Sequence, residues 1–332
     1  MFILLGGMIM LTKDLRIEVQ KLLQEKIGII LYAVLKGDEE KIIKFVNIAD
    51  EEDINDNTSQ ELLDGFASSL ENKLISFDDD NEILKLSSAD ERANGLYYYD
   101  LDEMPIEMEM LKKVSNESND ISTFSFNQDS LDKIIAFLIV IGNAQQKLAM
   151  YKQQYPISLL KRDRYMLTPI PHSNRLKKFD QDILRIDFNC QFFLLNDVVY
   201  ILDIEKMERV CSFYNIVVNE AKKSIQAIEN MNILDNVEVL SDELDDISFA
   251  RKLTRVYKDS KVIGNVDNKT IIEFSKWHTY FEKNPLKLND KMDKFILDTK
   301  KSKNAFLKLM NDDLLTSHLT NYNYESLAKN NA

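Results

Sequence analysis

Proline and glycine are scarce in this 332-residue chain, at 5 and 8 residues. So few backbone breakers argue against a long flexible linker. They also leave nothing from which to build a glycine-rich phosphate cradle, and neither a P-loop nor a dinucleotide-binding fingerprint is present. Cysteine is limited to Cys190 and Cys211, far apart and without a CxxC companion. That pattern fits two core thiols in a reducing compartment, not a disulfide frame. His172, His278 and His318 fall at no ligand spacing with those cysteines and read as surface or loop residues, so no zinc site is expected. No apolar run is long enough to cross a bilayer, so a soluble chain is expected. The opening MFILLGGMIML is apolar but lacks a basic flank and a small-residue cleavage site. It reads as translated leader ahead of a natural start at Met8 or Met10.

What is present describes a globular protein. Apolar residues make up 45% and charged residues 29%, enough to bury one large core or two ordinary ones. The charge is unevenly spread. Residues 1–150 hold 14 basic and 29 acidic side chains, a net of −15, whereas residues 151–332 hold 28 and 26, a net of +2. An acidic half joined to a neutral one suggests regions that meet different partners. We therefore expect an acidic α/β domain over 10–145, for partner or oligomer contacts, and an α+β domain over 146–332 that carries the basic clusters. The break would fall near 143–150.

The hydrophobic pattern predicts an α+β fold, with mixed sheets, packed helices and a largely helical second half. Helices are expected over about 14–26, 58–73, 130–141, 205–213, 215–230, 246–259, 269–281 and from 300 to about 311. Asp129 would cap the 130–141 helix, the most apolar of them. GIILYAVLK and KIIKFVNIA form one hairpin over residues 37–40. ILRIDFNCQFFLL and VVYILDI form another over Asn196-Asp197. GLYYYDL and KLAMYKQQY read as strands, and 287–297 as a last hairpin. The stretch 156–179 holds three prolines and fits no simple element.

Basic clusters are the strongest positive signal. The first holds Lys152, Lys161, Arg162, Arg164, Arg175, Lys177 and Lys178 against only Asp163 and Asp180, with Tyr151, Tyr155 and Tyr165 interleaved. The second is Arg251, Lys252, Arg255 and Lys258, and the third Lys300, Lys301 and Lys308. Their bland reading is a set of solvated faces or partners for the many acids. Three of them in the half that is not acidic point to DNA bound through its phosphates, without base readout. A Mg²⁺-dependent nuclease using Asp187, Asp197 and Asp203 is the alternative, but Glu205 and Lys206 are adjacent and point to different faces. A pure interaction module is a third reading. No catalytic residue, metal ligand or cofactor is assigned.

The C-terminus carries the sharpest local pattern. Lys300–Asn311 is amphipathic, with Ala305, Phe306, Leu309 and Met310 on one face. Asp312 and Asp313 follow, where the helix dipole disfavours acids. They are expected to be held by backbone amides or by a basic group such as Lys300 or Arg251. The run NDDLLTSHLT with TKKSK before it, Tyr97-Tyr98-Tyr99-Asp100 ahead of Pro105, Lys152 to Ile157, and Arg251-Lys252-Leu253 resemble the KwaB family of the bacterial Kiwa anti-phage system. The likeness runs from about Thr12 onward. It implies a cytoplasmic, DNA-binding defence effector that blocks phage replication or expression. It further implies recruitment to the inner face of the membrane by a KwaA-like membrane protein, without insertion of its own. A homodimer is the expected assembly.

Overall fold

The computed structural model describes residues 10–38, 40–48, 57–87, 95–116, 120–160, 167–170, 175–178, 182–317, 319–320 and 322–325. The two candidate starts, Met8 and Met10, straddle the edge of this set; residues 1–9 lie outside it. In chain order the helices are α1 (Thr12–Leu23), α2 (Thr58–Ile75), α3 (Ile106–Asn116), α4 (Ile204–Val210), α5 (Phe213–Met231), α6 (Glu238–Ser241), α7 (Ile247–Asp259), α8 (Asn268–Trp277), α9 (Tyr280–Lys283) and α10 (Lys300–Met310). The strands are β1 (Gly28–Lys36), β2 (Lys41–Val46), β3 (Leu84–Lys85), β4 (Tyr97–Tyr98), β5 (Ile134–Gly142), β6 (Lys147–Gln153), β7 (Leu159–Leu160), β8 (Leu167–Ile170), β9 (Arg175–Lys178), β10 (Ile183–Leu184), β11 (Phe192–Leu195), β12 (Val198–Ile201), β13 (Lys287–Leu288), β14 (Phe295–Ile296), β15 (Leu314–Thr316) and β16 (Asn323–Glu325). The class is α+β.

The chain forms two compact units. The first takes Met1–Ile83, Leu96–Tyr98 and Ile106–Cys211; the second takes Leu84–Gly95, Tyr99–Pro105 and Ser212–Ala332. The stretch 143–150 thus lies within the first unit. Asn143 Oδ1 accepts from the amides of Gln145 and Gln146 at 2.8 and 2.9 Å, closing an Asx turn. That turn makes β5 and β6 register partners from Gly142↔Lys147 onward.

The first unit is built on an antiparallel sheet running β2-β1-β5-β6-β11-β12-β4. On one face α1 buries Leu15, Val19 and Leu22, one helical stripe, and α2 buries Leu63, Phe66, Leu70 and Leu74. They pack on Phe137, Ile139, Ile141, Leu148, Met150 and Phe193. Gly65 matters in α2, because a Cβ there would lie 2.5 Å from the Phe188 ring. The opposite face buries Leu138, Val140, Ala149, Tyr151 and Phe192, and α3 packs over it.

That double cover overturns one expectation: residues 134–142 are a central strand and not a helix. A strand buried on both faces is apolar at every position, so it shows no alternation to distinguish it from a buried helix. Asp129 does not cap a helix; it accepts from the Ser125 amide at 2.8 Å. Both hairpins fold where expected. Asn196 and Asp197 take φ of 49° and 64°, the left-handed pair that a two-residue turn requires. Cys190, half-buried, and Cys211, buried, are free thiols, and desolvation pushes the Cys190 thiol up to about 12.

The second unit is mainly helical. One face of α5 buries Phe213, Ile216, Val217, Ala221, Ile225 and Ile228. Two polar residues on that face are satisfied within the unit. Glu220 pairs with Lys223 at 2.6 Å, and the Ser224 hydroxyl donates to the Leu253 carbonyl while accepting from the Tyr257 amide. The loop after β4 is fixed in the same way. Asp100 accepts from the Ser87 amide at 2.9 Å, and Asp102 pairs with both Lys258 and Lys223, at 3.3 and 3.4 Å.

Candidate nucleic-acid interface

Leaving the sheet at the end of β6, the chain makes a single 3-10 turn at Pro156–Ser158 and enters the first of two short two-stranded ladders. Leu159 pairs with Leu184 and Leu160 with Ile183 at its base. In the second ladder, the β8–β9 ribbon, the register runs from Leu167↔Lys178 to Ile170↔Arg175. The described strands within 156–179 are two to four residues long and, on β9, exposed throughout, so no core pattern marks them in the sequence, and prolines interrupt both helix and ladder.

A buried polar cluster ties down the base. Lys152 is 1% exposed, and its Nζ donates to Asp187 Oδ2 at 3.2 Å, to the Gln153 carbonyl at 3.0 Å and to Gln154 Oε1 at 3.3 Å. Gln154 Nε2 donates to the Arg185 carbonyl, and Gln191 Oε1 accepts from the Gln153 amide. Burial alone would raise the Asp187 carboxyl. The charge and hydrogen bond of Lys152, with the Asn189 amide, outweigh it and hold the group below the ordinary range. A cleft of about 150 Å³ opens here between Ile134, Gln154, Tyr155, Leu159 and Leu184.

On the β8–β9 ribbon, Arg175, Lys177 and Lys178 are exposed, and none of their side chains makes an ion pair or hydrogen bond among the described residues. Strand alternation puts Arg175 and Lys177 on one face, about 6.6 Å apart along the strand. Lys178 shares the other face with Leu176, which is 62% exposed. Lys161, Arg162 and Arg164 lie outside the described residues, as does Tyr165.

The other two clusters have a different environment. In the second unit they meet at the seam between α7 and α10. Arg251 is 8% exposed. Lys252 Nζ donates to Asn304 Oδ1 at 3.0 Å, and Arg255 Nη2 lies 3.2 Å from Asp313 Oδ1. Lys300 pairs with Asp246 at 2.7 Å, Lys301 donates to the Lys283 carbonyl, and Lys308 sits 5.2 Å from the centre of the Tyr280 ring. Asp246 also caps α7, accepting from the Ser248 and Phe249 amides. Its bond with Lys300 and the Phe249 amide hold its carboxyl below the usual range.

The two acids after α10 also find their explanation here. Asp312 has a φ of 56°, and its amide donates to the Leu309 carbonyl; the Asp313 amide donates to Lys308. This is the paired hydrogen-bond pattern that ends a helix with a left-handed residue. Asp312 thus occupies the turn position, and Asp313 is carried inward, 5% exposed, onto Arg255. Arg255 pairs with Asp313, and the expected Lys300 is taken by Asp246 at the far end of α10. The residues beyond fold back as β15 on β16.

The carboxylates of the nuclease reading are engaged separately. Asp187 faces Lys152, Asp197 sits in the β11–β12 turn, and Asp203 caps α4 by accepting from the Lys206 amide at 3.0 Å. Among the described residues no group of three or more His, Cys, Asp or Glu could hold a metal ion.

A family model described as Kiwa protein KwaB-like matches residues 131–320, a stretch that contains the ribbon and the α7–α10 seam. This chain belongs to the KwaB-like family. It is 27% identical over 321 residues to the Kiwa protein KwaB of Escherichia coli O55:H7 (strain RM12579 / EPEC), covering 96% of this chain and 98% of that protein. No solved structure matches. Among the described residues no helix is long and apolar enough to cross a membrane. The KwaB-like match takes in β5, β6, β11 and β12 of the sheet and the second unit from Ser212 through β15.

Proposed function

We propose that this KwaB-like protein is an anti-phage defence factor that binds double-stranded DNA through phosphate contacts, with β9 as the leading surface. The observation that supports this is the contrast among the three clusters. Arg175, Lys177 and Lys178 have no acid beside them among the described residues, whereas Arg255 and Lys300 are neutralised by Asp313 and Asp246. An unneutralised cation can release counter-ions from DNA; one already paired must first give up its carboxylate. Arg251, Lys252, Lys301 and Lys308 are secondary contacts in this reading, and Lys161, Arg162 and Arg164 add positive charge in the sequence ahead of β8.

The protein acts as a homodimer in the cytoplasm, obstructing phage replication or expression. A KwaA-like membrane protein recruits it to the inner face of the membrane, with the acidic 50–56 and 78–82 stretches as the docking charge. Incubation of the full-length protein with plasmid and Mg²⁺, followed by a gel, tests the reading. A shift without cleavage supports it. Cleavage supports a nuclease, and the absence of both a shift and cleavage supports a module that contacts protein alone.

A further inference from the structure

His278 lies at the corner between α8 and α9 in the second unit and is 2% exposed. Its imidazole stacks on Phe274, centroids 4.9 Å apart, and Trp277 and Phe281 lie 5.9 and 6.2 Å away. Nδ1 accepts from the Tyr280 amide at 3.2 Å. An accepting Nδ1 places the single proton of a neutral ring on Nε2, and Nε2 is buried with no hydrogen-bond partner. The next residue, Thr279, extends the corner, its hydroxyl accepting from Asn323 Nδ2 of β16 at 2.7 Å. One neutral ring therefore holds α8 against α9 at the point where the C-terminal hairpin attaches.

Protonation would convert that ring from latch to obstacle. A proton on Nδ1 faces the Tyr280 N–H, donor against donor, and a cation is left among aromatic rings. Among the described residues no carboxylate compensates. Glu273 and Lys276 on α8 and Glu282 and Lys283 on α9 are exposed, and Lys308 of α10 sits over the Tyr280 ring; none pairs with the imidazole. We propose that His278 is an acid-sensitive latch: neutral, it closes the α8–α9 corner and seats the C-terminal hairpin, and protonated, it opens the corner and releases the hairpin. Burial also lowers the affinity of His278 for a proton below that of an ordinary histidine, so opening belongs below pH 6.5.

Trp277 is the only tryptophan in the chain and reports directly on its neighbour. The full-length protein is titrated from pH 8 to 5 while Trp277 emission is recorded. A reversible change with a midpoint below 6.5 is expected, and none in His278→Asn, whose amide oxygen can accept from Tyr280 but does not titrate. Hydrogen exchange over 314–325, normalised to the Asn variant at the same pH, should rise across the same interval. A flat titration, or an identical one in His278→Asn, overturns the proposal. If the Asn variant does not fold, the imidazole signal of His278 is followed by NMR in the unaltered protein. Protonation without loss of protection at the Tyr280 amide then overturns it equally.

Discussion

Replacing Asp313 by Asn should cost the second unit about 3 kcal/mol. The side chains of Arg255 and Asp313 are 12% and 6% exposed. Removing one charge strands the other in the seam between α7 and α10. Breaking a buried pair in this way costs about 3–5 kcal/mol. The lower end applies because Asn can still accept a hydrogen bond from the guanidinium and the arginine keeps some access to water. For a unit of this size about 3 kcal/mol corresponds to roughly 6–12 °C in melting temperature. Urea denaturation of the full-length protein, followed by a probe in the second unit such as Trp277 fluorescence, gives the number directly. The double variant with Arg255→Met separates pairing from packing, because an apolar replacement of both partners can be nearly neutral. An Asp313→Asn protein within 0.5 kcal/mol of the parent would refute the claim that the pair is buried and coupled. So would a double variant no better than the single one.

Asp312→Val should destabilise by about 1–2 kcal/mol, since a β-branched residue is strained at a φ of 56°; denaturation midpoints of the Val and Gly variants, with Gly the milder, check this. At the ribbon base the effects should be asymmetric. Asp187→Asn leaves the charge of the 1%-exposed Lys152 unpaired and should cost about 2–4 kcal/mol, whereas Lys152→Met should cost less, because Asp187 is partly solvated; thermal melts that rank them the other way round would count against it. Asp246→Ala removes the cap of α7 and should cost about 1 kcal/mol. Because the Asp246 carboxyl is held below its ordinary range, its contribution is full above about pH 4 and disappears as the pH falls further. The gap between parent and Asp246→Ala should therefore narrow in acid, which melting curves at pH 7 and pH 3 would show.

The parts of the fold legible in the sequence are those with a local cause. The β1–β2 hairpin follows from two β-branched runs over a short polar turn, and the β11–β12 hairpin from Asn196-Asp197. Amphipathic α1, α5 and α10 show their buried stripes directly. β5 was misread because burial on both faces erases the alternation that marks a strand. The limits of the two units are equally hidden. Tyr99–Pro105 joins the second unit through Asp100, Asp102 and Lys258, contacts between residues more than 150 positions apart in sequence. The basic clusters are visible as composition, but which of them is neutralised is decided by distant acids. Nothing near Arg255 announces Asp313, and nothing near Lys300 announces Asp246. His278, read as a surface or loop residue, is buried because Phe274, Trp277 and Phe281 close around it; aromatic residues at those helical spacings were the available signal.

The account rests on the ribbon meeting DNA while the α7–α10 seam is occupied by its own ion pairs. Two variants of the full-length protein separate these surfaces: Arg175→Gln/Lys177→Gln/Lys178→Gln on the ribbon and Lys300→Gln/Lys301→Gln on the seam. For each, the affinity for a short duplex is measured across salt concentrations beside the parent. Each lost phosphate contact should lower the log–log salt slope by about 0.9. The account predicts a slope smaller by roughly 2–3 for the ribbon variant, with an unchanged melting temperature, and a slope near the parental value for the seam variant. A ribbon variant with the parental slope, or a larger loss in the seam variant, would contradict it.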